Sequence, residues 1–269
     1  MNEESPYKKI CFDAMEVVRE AAAYIRNRHE NREALNIEVK GQHNFVTEVD
    51  KRAEEILVNG LSAVLPEAGF IAEEGTSARK GEQYQWVIDP VDGTTNFIHG
   101  VFPFAISVGL IKEDEVVAGI VHEFGLDEYF YAWKGGGAWC NGDPVQVSGA
   151  KSISQSLIAT GFPYTNFKYI SQFLESINFF MKRSHGLRRL GSAATDIAYV
   201  ACGRYDGFYE YGLHPWDIAA GILLVREAGG EVSDFNGGKN PLFGEDIVCT
   251  NGHIQKEFQE TTRKIMTRS

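Results

Sequence analysis

Apolar residues recur at helical spacing near the start of the chain, at Ile10, Ala14, Val17, Ala21 and Ile25, and again at Val49, Ala53, Ile56, Leu57, Leu61 and Val64. Pro66 and Gly69 end the second helix. Two short apolar runs then read as strands, GFIA and WVI, and each ends in carboxylates: Glu73 and Glu74 after the first, Asp89 after the second. The polar segment GTSARKGEQY between them reads as a loop. AISVGLI, EVVAGIVHEF and DEYFYAW alternate or run apolar with turn residues between them, and WKGGGAWCNGDPVQVS continues as a glycine-rich hairpin. Beyond residue 150 strands and helices alternate. SLIAT, GFYE, EVSD and DIVC read as strands. Phe167, Ile170, Phe173, Leu174, Ile177 and Met181 mark one helix, and 192–202 and 216–228 fit two more. This change of pattern separates an N-terminal half, 1–150, from a C-terminal half, 151–269. No Pro- or Ser-rich linker lies between them, so the halves are expected to share an interface in one unit.

Composition narrows the function. A chain of 269 residues with 43% hydrophobic and 23% charged residues can bury a large core, which argues against disorder. The net charge of −11 gives no counterion-release advantage at a phosphate backbone or an anionic membrane, so neither nucleic acid nor membrane insertion is expected. No stretch approaches the ~18 to 20 apolar residues of a membrane span, and the first residues carry no apolar run of signal-peptide type. Cys11, Cys140, Cys202 and Cys249 are scattered with no CxxC pair, which argues against zinc and for reduced thiols in a cytoplasmic protein.

Candidate chemistry concentrates in WVIDPVDGTTNF. A strand delivers Asp89, Pro90 is expected to turn the chain, and Asp92 follows with the Val91 carbonyl between the two carboxylates. Gly93 permits close backbone approach, and Thr94 and Thr95 can open a helix whose free N–H groups suit an anion. Hard oxygen donors in this arrangement suit Mg²⁺. Taken alone, Asp-Pro and Asp-Gly are also ordinary turn chemistry, and Glu73 and Glu74 could be a solvated loop edge. Asp217 could merely favour the positive end of its helix, although that helix is apolar on most faces and a buried carboxylate there needs a partner. Taken together, carboxylates packed this closely would stay partly protonated unless cations neutralised them. Two cations ~3.5–4 Å apart would do so and would also clamp a phosphate. Gly135–Gly136–Gly137 lacks the Gly-Lys-Ser/Thr of a P-loop and reads as a hairpin turn, and the seven histidines show no ligand spacing. His214 reads as a packed neighbour of Asp217.

These segments resemble the inositol monophosphatase family over nearly the whole chain. The resemblance rests on AEEG at 72–75, DPVDGTTNF at 89–97 and HPWDIAAGILLVREAGG at 214–230, supported by NFVTEVDKRAE at 44–54 and GSAATDIAYVACG at 191–203. It implies a layered αβαβα sandwich of α/β class and a Mg²⁺-dependent phosphomonoesterase with two to three Mg²⁺ per site. Li⁺ would inhibit, and the assembly would be a homodimer. Glu73, Asp89 and the Val91 carbonyl match one metal site; Asp89, Asp92 and Asp217 match the second; a third, weaker Mg²⁺ is expected near Glu73. Asp50 and Thr94 match the pair that orients the attacking water and helps deprotonate it, and Gly93 and Thr94 the phosphate cradle. Glu210, with Gly191, Ser192 and Ala193, matches the wall that contacts the hydroxyls of a sugar alcohol. Lys40 aligns only across a gap.

Thr95 and Asn96 stand where nucleotide-directed bacterial relatives typically read DGTKEF, and GFPY at 161–164 resembles bacterial inositol monophosphatases. The expected substrate is therefore myo-inositol 1-phosphate. 3′-Phosphoadenosine 5′-phosphate, fructose 1,6-bisphosphate and histidinol phosphate are the alternatives, and a catalytically silent regulatory homologue is a further one. Pro215 before Trp216 departs from the commoner animal pattern.

Overall fold

The computed structural model of the protein describes residues 5–31, 37–41, 44–164 and 166–267; side chains over 37–46 lie outside the described residues, Lys40 among them. Helix α1 (Pro6–Glu30) starts with proline in its first turn and buries Cys11, Ala14, Met15, Val18, Ala21, Ala22 and Ile25. The stripe runs one residue beside the one expected at Ile10 and Val17, which are only half-buried. A two-stranded ribbon, β1 (Ile37–Gly41) and β2 (Asn44–Thr47), leads into α2 (Glu48–Val64). Thr47 caps α2 by accepting from the Val49 N–H at 3.0 Å, and Asp50 closes the capping box on the Thr47 N–H at 2.8 Å. Gly60 lets α1 and α2 approach, because a Cβ there would collide with Val17.

The first large sheet has seven strands in the order β3-β4-β5-β6-β7-β8-β9. These are β3 (Gly69–Ala72), β4 (Tyr84–Asp92), β5 (Ala105–Lys112), β6 (Glu115–Glu123), β7 (Glu128–Trp133), β8 (Ala138–Cys140) and β9 (Asp143–Val145). Consecutive strands from β4 onward pair antiparallel, as the meander pattern leads one to expect, and Gly135–Gly137 forms the β7–β8 turn. Pro90 does not end its strand: β4 continues to Asp92, with a register shift against β5 between Asp89 and Asp92. The partner strand β3 pairs only as far as Ile88, so the missing Pro90 N–H is not needed there, and the proline sits in a bulge.

The second sheet has five strands in the order β11-β10-β12-β14-β13. They are β10 (Leu157–Thr160), β11 (Gly186–Arg188), β12 (Gly207–Tyr211), β13 (Glu231–Ser233) and β14 (Asp246–Thr250). Helices α5 (Ala193–Ala201) and α6 (Pro215–Glu227) lie between the two sheets, α1 and α2 cover the outside of the first, and α4 (Ile170–Arg183) and α7 (Gln255–Met266) the outside of the second. The architecture is the expected αβαβα sandwich. Its middle layer explains why α5 and α6 are apolar almost all round: each is covered by sheet on both sides. Small residues set the depth of α6, since a Cβ on Gly109 would lie 2.8 Å from the Ala219 Cβ and one on Gly119 2.9 Å from the Ala220 Cα. That close seating brings the first turn of α6 beside the end of β4.

The buried stripe of α4 differs from the expected one. Phe173, Ser176 and Phe180 face the core, while Leu174 and Met181 are 58% and 64% exposed. Ser176 belongs inside because its hydroxyl pairs with the Tyr209 hydroxyl at 2.7 Å, a match that hydropathy alone does not reveal. Helix α7 has no clear counterpart in the hydropathy pattern, because its stripe of Phe258, Thr262, Ile265 and Met266 is interrupted by a threonine that returns its hydroxyl to the Phe258 carbonyl. Among the described residues no helix is long and apolar enough to cross a membrane.

Candidate active site

The C-terminal end of β4 and the N-termini of α3 (Thr94–His99), α5 and α6 converge on one cavity of about 190 Å³. β4 ends in Asp89 and Asp92, and α6 carries Asp217 in its first turn. One carboxylate oxygen from each of Asp89, Asp92 and Asp217 lies within 4.8 Å of the others. Glu73, at the end of β3, and Val91 line the same cavity. Glu73 is held in place from α2: the buried Glu54 carboxylate accepts from the Glu74 N–H at 2.7 Å and from the Thr76 N–H at 2.8 Å.

Each aspartate is oriented by its neighbours. Asp89 accepts from the Val91 N–H at 2.9 Å, which closes the bulge at Pro90. Asp92 accepts from the Ser192 hydroxyl at 2.6 Å and the Ala194 N–H at 2.7 Å, both at the start of α5. Asp217 accepts from the His214 N–H at 2.7 Å, so it does cap its helix, as well as facing the cavity. His214 itself is exposed and stacks on Trp216 at 4.7 Å; the packed position expected from sequence is not what forms, because the histidine lies before the first turn of α6, at the cavity mouth.

The electrostatics are those of a site short of positive charge. Burial pushes the Asp89 carboxyl well above its ordinary value, and Glu73, Asp92 and Asp217 push it further. Burial raises Asp92 to about 6 even though Ser192 and the α5 backbone favour its charged form. Asp217 is raised by burial and then by Asp92. Hard, mutually repelling oxygens that are already held in place by other hydrogen bonds suit a divalent cation such as Mg²⁺.

Asp50 and Thr94 meet as a pair. The Thr94 hydroxyl donates its one proton either to Asp50 Oδ1 at 3.2 Å or to the Val91 carbonyl at 3.1 Å. Asp50 is fully buried, and burial raises its carboxyl while Thr47 opposes that shift. Across the cavity, Gly191, Ser192 and Ala193 open α5, and Glu210 extends from β12. Burial raises Glu210, with Asp196 and Asp92 adding to it. Gly161 makes room for it, since a Cβ at Gly161 would collide with the Glu210 carboxylate.

Several residues at this site escape a sequence reading. Asp196 lies in α5, 1% exposed, and lines the cavity; an ionisable side chain inside an otherwise apolar helix was its available signal. Asn96 donates to the Pro103 carbonyl at 2.6 Å and the Leu190 carbonyl at 2.8 Å, tying α3 to the loop before α5. Phe162 and Tyr164, from the GFPY segment, and Arg189 also line the cavity, and no local pattern marks Arg189.

The inositol monophosphatase family model matches residues 7–268. The chain is 41% identical over 231 residues to an inositol-1-monophosphatase of Mesorhizobium japonicum, covering 86% of this chain and 87% of that one. It is equally 41% identical over 251 residues to the Nus factor SuhB of Salmonella typhimurium, covering 93% and 94%. The crystal structure of the extragenic suppressor protein suhB from Bartonella henselae superposes with a TM-score of 0.89 at 36% identity, over 94% of this chain and 98% of that one.

Proposed function

The chain belongs to the inositol monophosphatase family, and from that premise we propose that it is a Mg²⁺-dependent phosphomonoesterase that hydrolyses myo-inositol 1-phosphate to myo-inositol and phosphate. The observation that carries this reading is the trio of carboxylates, Asp89 and Asp92 buried and Asp217 half-buried, with oxygens within 4.8 Å of one another in a cavity that Glu210 also lines. Glu73, Asp89 and the Val91 carbonyl would hold one Mg²⁺, and Asp89, Asp92 and Asp217 a second, with a third near Glu73. Bound there, Mg²⁺ would neutralise phosphate oxygens, make a water more acidic and stabilise the leaving alkoxide. Li⁺ would compete at the second set.

The chain's own groups do the rest. The Gly93 and Thr94 N–H groups, at the turn into α3, face the phosphate. Thr94 donates to Asp50, which leaves its oxygen lone pairs to accept from the attacking water. The proton then passes along Thr94 to Asp50, whose raised pKa makes it a better base near neutral pH. No covalent nucleophile is needed. Glu210, with the backbone of Gly191, Ser192 and Ala193, accepts hydrogen bonds from the ring hydroxyls and so orients the ester. A cytoplasmic homodimer acting on a small ester, and not on nucleic acid, completes the proposal.

A silent regulatory role is the second reading, since the Salmonella relative carries the name Nus factor. The complete donor set favours catalysis. Phosphate release from inositol 1-phosphate, fructose 1,6-bisphosphate, 3′-phosphoadenosine 5′-phosphate and histidinol phosphate, with Mg²⁺ and with EDTA, tests both readings. Turnover should be highest on inositol 1-phosphate and vanish in EDTA. Undiminished turnover in EDTA would sink the metal assignment, a preference for the adenosine bisphosphate would change the substrate, and no turnover on any ester would favour the regulatory reading.

A further inference from the structure

Arg189 lies between β11 and α5 and lines the cavity beside Glu210. Its guanidinium sits over the Phe162 ring, 5.1 Å from the centroid, and the Tyr164 ring, 5.4 Å away. Its buried Nε has no hydrogen-bond partner. Among the described residues the guanidinium makes no ion pair, so it is held between two aromatic faces with its buried Nε–H unbonded and the rest of its fork turned to the cavity. A buried donor left unmade is costly, so such a group in a cavity points to a ligand that completes it.

The backbone on either side is fixed. Asn96 pins the Leu190 carbonyl to α3, and a Cβ on Gly191 would fall 2.7 Å from Arg189 Nη1, so glycine leaves the guanidinium its space. The surroundings decide what kind of ligand fits. Burial raises the carboxyls of Asp196 and Glu210, and the Arg189 charge opposes that rise in both. Two carboxylates share the field of one guanidinium, so a second anionic group on the substrate would be repelled there. A neutral hydroxyl would not: its oxygen can accept from the fork while a neighbouring hydroxyl donates to Glu210.

We propose that Arg189 is a specificity residue that donates to a hydroxyl oxygen of a polyol phosphate, opposite the Glu210 carboxylate that accepts from the adjacent hydroxyl. This rests on the polyol-ester reading of the cavity. The test is the ratio of kcat/KM for inositol 1-phosphate to that for p-nitrophenyl phosphate, which offers no hydroxyls. A wild type without preference for the inositol ester would overturn the substrate reading and this proposal together. With that preference present, Arg189→Ala should lower the ratio about tenfold or more, mainly through KM, as expected for the loss of a charged-group hydrogen bond. Arg189→Lys, which keeps the charge without the fork or the stacking, should lower it by a smaller factor, and it decides the matter where the alanine variant does not fold. An unchanged ratio, or a loss confined to fructose 1,6-bisphosphate, would overturn the role of Arg189 and leave the substrate reading standing.

Discussion

The two ends of the cavity are built differently. At the phosphate end, four of the chemical groups, Asp89, Val91, Asp92 and Thr94, come from one run of chain; Asp89 is held locally by the Val91 N–H, while Asp92 is held from the start of α5 by Ser192 and Ala194. At the polyol end, Glu210, Phe162 and the pair Arg189 and Ser192 come from three separate segments, and glycines at 161 and 191 supply the room. The first end is an excess of negative charge compressed into a small volume; the second balances two buried carboxylates against one guanidinium. In the proposed function, the chemistry that every substrate shares rests largely on one run of chain, to which Glu73, Asp50 and Asp217 are brought, while selectivity depends wholly on how distant segments meet.

The sharpest way to break that contrast is Asp89→Asn. Asp89 faces Glu73, Asp92 and Asp217 at once, so its loss should disable the phosphate end for every ester. Several kcal/mol of charge stabilisation are at stake, which is about a thousandfold in kcat/KM at 1.36 kcal/mol per decade. Steady-state assays with inositol 1-phosphate and p-nitrophenyl phosphate should show equal losses; a selective loss would mean that the two ends are not separate functions.

Glu210→Ala should act the other way. Removing one charged-group hydrogen bond costs about 1.5–3 kcal/mol, or roughly ten- to hundredfold in kcat/KM, and should fall on inositol 1-phosphate far more than on p-nitrophenyl phosphate. Equal losses on both would remove Glu210 from the polyol wall.

Asn96→Ala cuts the strut between the ends. Two carbonyls, of Pro103 and Leu190, lose their donor. A cost of about 1–3 kcal/mol lowers Tm by roughly 2–4 °C per kcal/mol in a chain of this size. A melting curve identical to wild type would show that the strut carries no load.

The smallest effect distinguishes the charge state of the phosphate end. Asp92 is raised to about 6, and Asp89 and Asp217 are raised as well. A carboxyl whose folded pKa is raised stabilises the fold at low pH and loses that contribution as pH climbs through the folded value. The metal-free protein should therefore lose stability between about pH 4 and about pH 7, and Mg²⁺ should raise Tm more at about pH 7.5 than at about pH 5. An equal rise at both values would mean that the carboxylates do not titrate together with metal binding.

The sequence by itself determined the meander of the first sheet and the DPVDG run at the end of β4, and its resemblance to a family implied the layered fold that the structure has. Period-2 and period-3.6 hydropathy and the DPVDG run are local patterns, and Asp217 announced itself as a charge at the start of an apolar helix. It misjudged Pro90, because whether a strand tolerates proline depends on whether its neighbour is still pairing, and β3 ends at Ala72, opposite Ile88. It misjudged α4, because Ser176 is buried only when the Tyr209 hydroxyl from another layer meets it. It named Asn96 only as part of a motif, without its bonds to Pro103 and Leu190, and was silent on Arg189 and Asp196. Their surroundings exist only after α5 is seated between two sheets, and a hydrogen bond or a buried charge is defined by what stands opposite in space, which hydropathy along the chain does not record.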